Sequence, residues 1–99
     1  MVTAGLYVRL RAQPGKEQEL ERFLRSAVGL VEAEPATVAW YAVRVDPSTF
    51  AVFDTFTDDA GRRAHLGGRV AEALLARAGE LLVEPPDIQA VDVIALKQR

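Results

Sequence analysis

The segment FAVFDTFTDDAGRRAHL, residues 50–66, joins a predicted strand to the start of a predicted helix. Its first seven residues are mostly aromatic, β-branched or apolar, which is typical of a strand. The two aspartates that follow suit the first turn of a helix, where the helix dipole favours negative charge, and Thr57 can cap that helix. The stretch ends in His65-Leu66 and holds the chain's single histidine. A strand that leads directly into a helix predicts a mixed α and β protein.

The residues on either side extend this pattern over the whole chain. Apolar residues alternate with polar ones where strands are expected, and recur three or four positions apart where helices are expected. The prediction is strands at residues 3–12, 37–45, 50–56 and 88–96, with helices at residues 16–33 and 58–78. We expect Gly67-Gly68 to interrupt the second helix and Gly79 to cap its end. The order β-α-β-β-α-β is the ferredoxin-like arrangement, an α+β fold with an antiparallel four-stranded sheet in one domain, residues 1–99.

This arrangement leaves one face of the sheet without helices. That face is still expected to carry apolar side chains, because 49% of the residues are hydrophobic in a chain of only 99. The simplest way to bury it is against a second copy. We therefore expect a homodimer formed through the sheet face.

Composition excludes several classes of function. The net charge of −2 gives no basic surface for nucleic acid. A single histidine and no cysteine rule out a multi-histidine or thiolate metal site within one chain. The first residues lack the layout of a signal peptide, and no apolar run reaches the roughly 20 residues of a membrane helix. We expect a cytoplasmic protein that binds neither nucleic acid nor membrane.

Short motifs occur along nearly the whole chain in an order that resembles the antibiotic-biosynthesis monooxygenase (ABM) family. They are Pro14-Gly15-Lys16, Glu34-Pro35-Ala36, Trp40 with Arg44, Asp54-Thr55-Phe56 and His65-Leu66. The resemblance implies a dimeric α+β barrel. It also implies oxidation of a small aromatic or quinol-type molecule by O₂, with no metal or other cofactor, because some members oxidise phenols, quinols or anthrones in this way.

The same resemblance suggests a site. His65 is the candidate base, since its unperturbed pKa is close to neutral, and Arg44 is a candidate to hold the resulting anion. Other residues expected to contact substrate are Val8, Trp40, Val52, Asp54 and Phe56. Each has a structural alternative: His65 can bond a backbone carbonyl, Phe56 can pack in the core, and Asp54 can form an ion pair with Arg44. Trp40 and Tyr41 lie on opposite faces of one strand, and the pattern does not show which faces the pocket.

Other functions stay open on this scaffold. Haem-degrading relatives use an asparagine on the first strand, a tryptophan and a histidine; this chain has no asparagine, and Phe56 stands where the tryptophan would be. Haem degradation is therefore not expected. The alternatives to an oxygenase are a non-enzymatic dimeric module that binds an apolar small molecule or stabilises a partner, and an isomerase that transfers protons without O₂.

Overall fold

Four strands and three helices follow one another in the computed structural model, which describes residues 1–97. They are β1 (Ala4–Arg11), α1 (Glu17–Glu32), β2 (Thr37–Asp46), β3 (Thr49–Phe56), α2 (Asp59–Leu66), α3 (Arg69–Leu81) and β4 (Asp87–Asp92). The strands form one antiparallel sheet in the order β2-β3-β1-β4. The predicted ferredoxin-like α+β fold is confirmed, and so is the break between two helical segments at Gly67-Gly68.

Alternation along the strands separates two faces of the sheet. On one face the even-numbered residues of β1 and β3 pack under the helices, and Leu6, Leu10, Phe50 and Phe56 are almost fully buried there. Leucines of α1 and α3 complete this core, at Leu20, Leu24 and Leu81. The helices therefore cover one face only, as the order of elements requires.

Trp40 belongs to this covered face. It packs against the core clusters beneath the helices, whereas the neighbouring Tyr41 points the other way and is 61% exposed. Tyr7 and Phe53 are each 37% exposed, and Phe53 lies between Tyr41 and Tyr7 in the strand register. An aromatic patch thus lies at the centre of the uncovered face.

Three predicted boundaries are wrong. Asp58, not Thr57, caps α2, since its side chain accepts a hydrogen bond from the Gly61 N–H at 3.0 Å. Gly79 lies inside α3, because the helix continues to Leu81, whose side chain is buried in the core.

The fourth strand is also shorter than the predicted residues 88–96. It ends at Asp92 because its partner strand begins at Ala4, opposite that residue. One further backbone bond, from the Val93 N–H to the Thr3 carbonyl, follows it. No helix within residues 1–97 has the length and apolar character needed to cross a membrane.

Candidate active site

His65 lies in the last turn of α2, which holds it against the sheet. The Asp58 cap fixes the start of this short helix, and Gly67 ends it, with the Gly67 N–H bonded to the Arg63 carbonyl. The histidine side chain is only 8% exposed. Its ring lies 5.5 Å from that of Phe56, centroid to centroid, at a tilt of 42°. A buried imidazole in this position needs polar partners on both nitrogens.

The first partner is Glu34, in the turn between α1 and β2. Glu34 Oε1 lies 2.6 Å from His65 Nδ1 and also accepts a hydrogen bond from the Thr37 hydroxyl at 2.8 Å. Pro35 follows Glu34 directly and disfavours further helix, so the chain turns here into β2. The turn holds the carboxylate at the edge of α2, where it fixes the orientation of the imidazole ring.

The second partner is Asp54, on the covered face of β3. Its Oδ2 lies 2.9 Å from His65 Nε2, and the aspartate is fully buried. This contact is an ion pair when His65 is protonated, and neither Asp54 oxygen has a further hydrogen-bond partner within residues 1–97. The second oxygen of Glu34 is likewise buried without a partner there. Asp54 therefore keeps acceptor capacity that a bound molecule can use.

These two carboxylates control the protonation of His65. Burial alone would lower the pKa of the imidazole, but contacts with Asp54 and then Glu34, together with their charges, outweigh burial and raise the pKa above its ordinary value of 6.5. The carboxylates contact opposite nitrogens of the ring and so do not converge on one point. Within the described chain, no group of three or more His, Cys, Asp or Glu side chains is arranged to hold a metal ion.

A small pocket lies beside this cluster, between the sheet and the helices. Its volume is about 50 Å³. The lining is almost entirely apolar, and Asp54 and His65 are its polar residues. The structure brings five of the predicted site residues to this pocket, namely Val8, Trp40, Val52, Asp54 and His65.

Two predicted site residues lie elsewhere. Phe56 is fully buried behind His65 and does not line the pocket. Arg44 lies near the other end of β2, where it pairs with Glu21 and sits 5.4 Å above the Phe50 ring. The predicted Arg44–Asp54 ion pair is wrong, because the strand register places Trp40 opposite Asp54 and Arg44 opposite Phe50.

Glu34 is the polar contact that the sequence interpretation missed. Glu34-Pro35-Ala36 was interpreted as one of the motifs of the ABM resemblance, without a contact to His65. The sequence signal that could have indicated the Glu34–His65 contact was an acidic residue in a turn that must pack near the second helix. The pairing itself joins residues 31 apart and depends on how α2 crosses that turn, which local spacing does not show.

Several solved structures are similar to this chain. Protein NE2512 of unknown function from Nitrosomonas europaea is 50% identical; the match covers 100% of this chain and 96% of that one, with a TM-score of 0.97. A candidate antibiotic biosynthesis monooxygenase from Caulobacter crescentus is 22% identical over 95% of this chain and 92% of its own, with a TM-score of 0.80.

A second structure from Nitrosomonas europaea, also a candidate antibiotic biosynthesis monooxygenase, is 13% identical and has a TM-score of 0.82; the match covers 93% of this chain and 90% of that one. Neither a protein-family model nor a curated protein matches the chain. At these low identities the two monooxygenase candidates show the fold, which agrees with the resemblance seen in the sequence. The chain therefore belongs to the same family as NE2512 and has the fold of the ABM proteins.

Proposed function

We propose that this protein is a cofactor-independent monooxygenase that oxidises a small aromatic, quinol-type molecule with O₂. The observation that carries the proposal is the chain of contacts Glu34–His65–Asp54, which ends in an apolar pocket. An oxygenase without a cofactor must remove a proton from its substrate, hold the anion and exclude water. A buried acid–base group in an apolar pocket suits each of these tasks.

Each member of the cluster has a distinct role in this proposal. Asp54 accepts the hydroxyl proton of the substrate, because its oxygens have no hydrogen-bond partner within the described residues. His65 holds a proton beside Asp54 and stabilises charge there, and it can return a proton to reduced oxygen. Glu34 is a positioning residue: its contact with Nδ1 directs Nε2 toward Asp54. The proposed base is thus Asp54, and His65 is the cation beside it.

The reaction balances without an external reductant. A hydroquinone supplies all four electrons that reduce O₂: one oxygen atom replaces a ring hydrogen, and the other leaves as water. The product is a hydroxyquinone. Removal of the hydroxyl proton makes the ring a stronger reductant, so the protein's part is to generate and hold that anion.

Pocket size limits the substrate. A cavity that holds benzene measures about 150 Å³, roughly three times the volume present here. An aromatic ring therefore enters only if a lining side chain moves. Leu66 and Ile88 line the pocket and are also partly exposed, so they can shift toward solvent.

The test is O₂ uptake by the purified protein with a panel of hydroquinones, naphthols and anthrones. His65→Gln and Asp54→Asn are compared with Glu84→Gln, an exposed carboxylate change away from the pocket. We expect uptake by the parent that falls at least tenfold in both site variants and stays at the parental rate in the control. Thermal unfolding of each variant checks that it is folded.

Other outcomes separate the alternatives. Equal uptake by the parent and both site variants means autoxidation and contradicts the proposal. Conversion of a substrate under anaerobic conditions indicates an isomerase that uses the same proton-transfer group. Thermal stabilisation by a ligand without turnover indicates a binding module.

A further inference from the structure

A second cavity lies on the same side of the sheet as the candidate active site. It is a surface groove of about 340 Å³ between α1 and β2, so it is several times larger than the inner pocket. Its walls carry aromatic, apolar and charged side chains. They include Glu21, Leu24, Trp40, Arg44 and Phe50.

The groove and the inner pocket share two lining residues. Leu24 and Trp40 line both cavities. Leu24 is buried, whereas Trp40 is half-buried at the edge strand β2. Movement of the indole would therefore join the two spaces into one site that is large enough for a fused aromatic ring system.

The two ends of the joined site carry opposite chemistry. Asp54 lies opposite Trp40, and Arg44 lies four residues further along β2 on the same face. Four strand residues span about 13 Å, which is comparable to a two-ring aromatic molecule plus its substituents. A hydrogen-bond acceptor at one end faces a cation at the other.

Arg44 is available to a ligand. Its side chain is half exposed, it rests over the Phe50 ring, and its ion pair with Glu21 is at the surface. Exposed ion pairs of this kind contribute little to stability, so an incoming carboxylate can displace Glu21. The guanidinium then binds that carboxylate through two parallel hydrogen bonds.

We propose that the groove is the second half of the substrate site, with Trp40 as a movable wall between the halves. The ligand it fits is an aromatic acid whose hydroxyl group reaches Asp54 and whose carboxylate, at the far end, binds Arg44. This inference rests on the proposed function in assigning the substrate hydroxyl to Asp54. It adds the substrate class, a hydroxylated aromatic carboxylate.

The test is calorimetric titration under anaerobic conditions with a matched pair of ligands, 6-hydroxy-2-naphthoate and 2-naphthol, which differ by the carboxylate. We expect the parent to bind the acid at least fivefold more tightly. Arg44→Gln should bring the two affinities within twofold of each other, and Arg44→Lys should restore part of the preference. Glu21→Gln should strengthen binding of the acid, since it removes the group that competes for Arg44.

Arg11→Gln is the control, because it removes the same charge from an exposed ion pair with Glu84 outside the groove. It should keep the parental preference for the acid. Equal affinity of the parent for the two ligands, failure to bind the acid, or an equal loss of preference in Arg11→Gln would overturn the assignment of Arg44.

The moving wall is tested by stopped-flow mixing. Trp40→Leu and Trp40→Phe replace the indole by smaller side chains of two sizes. Both should raise the association rate constant of 6-hydroxy-2-naphthoate at least threefold. Unchanged rates in both folded variants would overturn the role of Trp40. These binding results do not depend on turnover: Arg44-dependent binding without O₂ uptake contradicts only the oxygenase, and O₂ uptake without Arg44-dependent binding contradicts only the groove.

Discussion

His65 cannot satisfy both of its carboxylate neighbours in a neutral state. Either neutral tautomer presents a lone pair to one carboxylate, at 2.6 Å on the Glu34 side or 2.9 Å on the Asp54 side. The doubly protonated ring presents an N–H to each of them. The raised pKa of His65 follows from this arrangement, and it makes the imidazolium part of the stability of the folded protein.

Stability should therefore depend on pH through His65. Its folded pKa lies above the unfolded value of 6.5, so its stabilising effect is complete below pH 6.5 and is lost as pH rises through the folded pKa. We expect the difference in unfolding free energy between the parent and His65→Gln to decrease from pH 6 to pH 9. Urea unfolding across this range measures it.

The difference between the unfolding free energies of the parent and His65→Gln isolates the effect of His65, because both proteins share the remaining titratable groups. A difference that is constant with pH, or that grows, would contradict the raised pKa.

The sequence predicted His65 as a candidate site residue, since the acid–base chemistry of histidine is evident from residue type alone. It could not show that Asp54 pairs with His65 rather than Arg44, because that depends on strand register and on the placement of α2.

Among the elements, α2 and α3 are the least predictable, because two glycines separate them and a third lies within α3. A Cβ at Gly68 would lie 2.9 Å from Glu34 Oε2 and 3.2 Å from the His65 carbonyl oxygen. A Cβ at Gly79 would meet nothing within 4 Å. Close approach, and not a positive φ, is thus what requires glycine at position 68.

Substitution by alanine should separate the two positions. Gly68→Ala crowds the Glu34–His65 contact and should destabilise the protein by about 1–3 kcal/mol. Gly79→Ala removes a glycine from a helix interior and should stabilise it by about 0.5–1 kcal/mol. Chemical denaturation of the two variants and the parent measures both effects; equal effects of one sign would contradict the assigned environments.

The cap of α2 gives a second test at this scale. Asp58→Ala should destabilise the protein by about 1 kcal/mol, because the Gly61 N–H loses its acceptor. Thr57→Ala is the control, since the Thr57 contact seen here is made by its backbone carbonyl, which accepts from the Thr3 hydroxyl. A larger effect at Thr57 than at Asp58 would restore the cap that the sequence pattern predicted. Both residues are common caps, so sequence alone does not distinguish adjacent positions.

For the whole molecule, the order of elements could be predicted because each has the hydrophobic period of its type. The uncovered sheet face was predicted in the same way, since the helices all lie on the other face. The cavities could not be predicted. They depend on the space left where α1, α2 and α3 pack over the sheet. Trp40, on the edge strand β2, lines two of them.

The uncovered face predicts assembly. Tyr7, Tyr41 and Phe53 form an exposed aromatic patch there, so we propose a homodimer through this face. Light scattering after size exclusion should give twice the chain mass at micromolar concentration. Phe53→Lys should shift the protein to monomer, because it places a charge in the centre of the interface.

Leu75→Lys is the matched control, since Leu75 is 61% exposed on α3, which packs on the opposite face of the sheet. It should leave the dimer intact. A monomeric parent, or equal dissociation by both variants, would contradict an interface at the sheet face.

The carboxylates of Glu34 and Asp54 hold His65 between them, and nuclear magnetic resonance of the ring nitrogens is the sharpest test of this arrangement. The chain has one histidine, so ¹⁵N-labelled histidine gives a single set of ring signals without assignment. We predict a titration midpoint above 6.5 that falls in both Glu34→Gln and Asp54→Asn, with Nδ1 protonated on both sides of the midpoint in the parent. A midpoint at or below 6.5, or a midpoint that neither variant changes, would contradict the account.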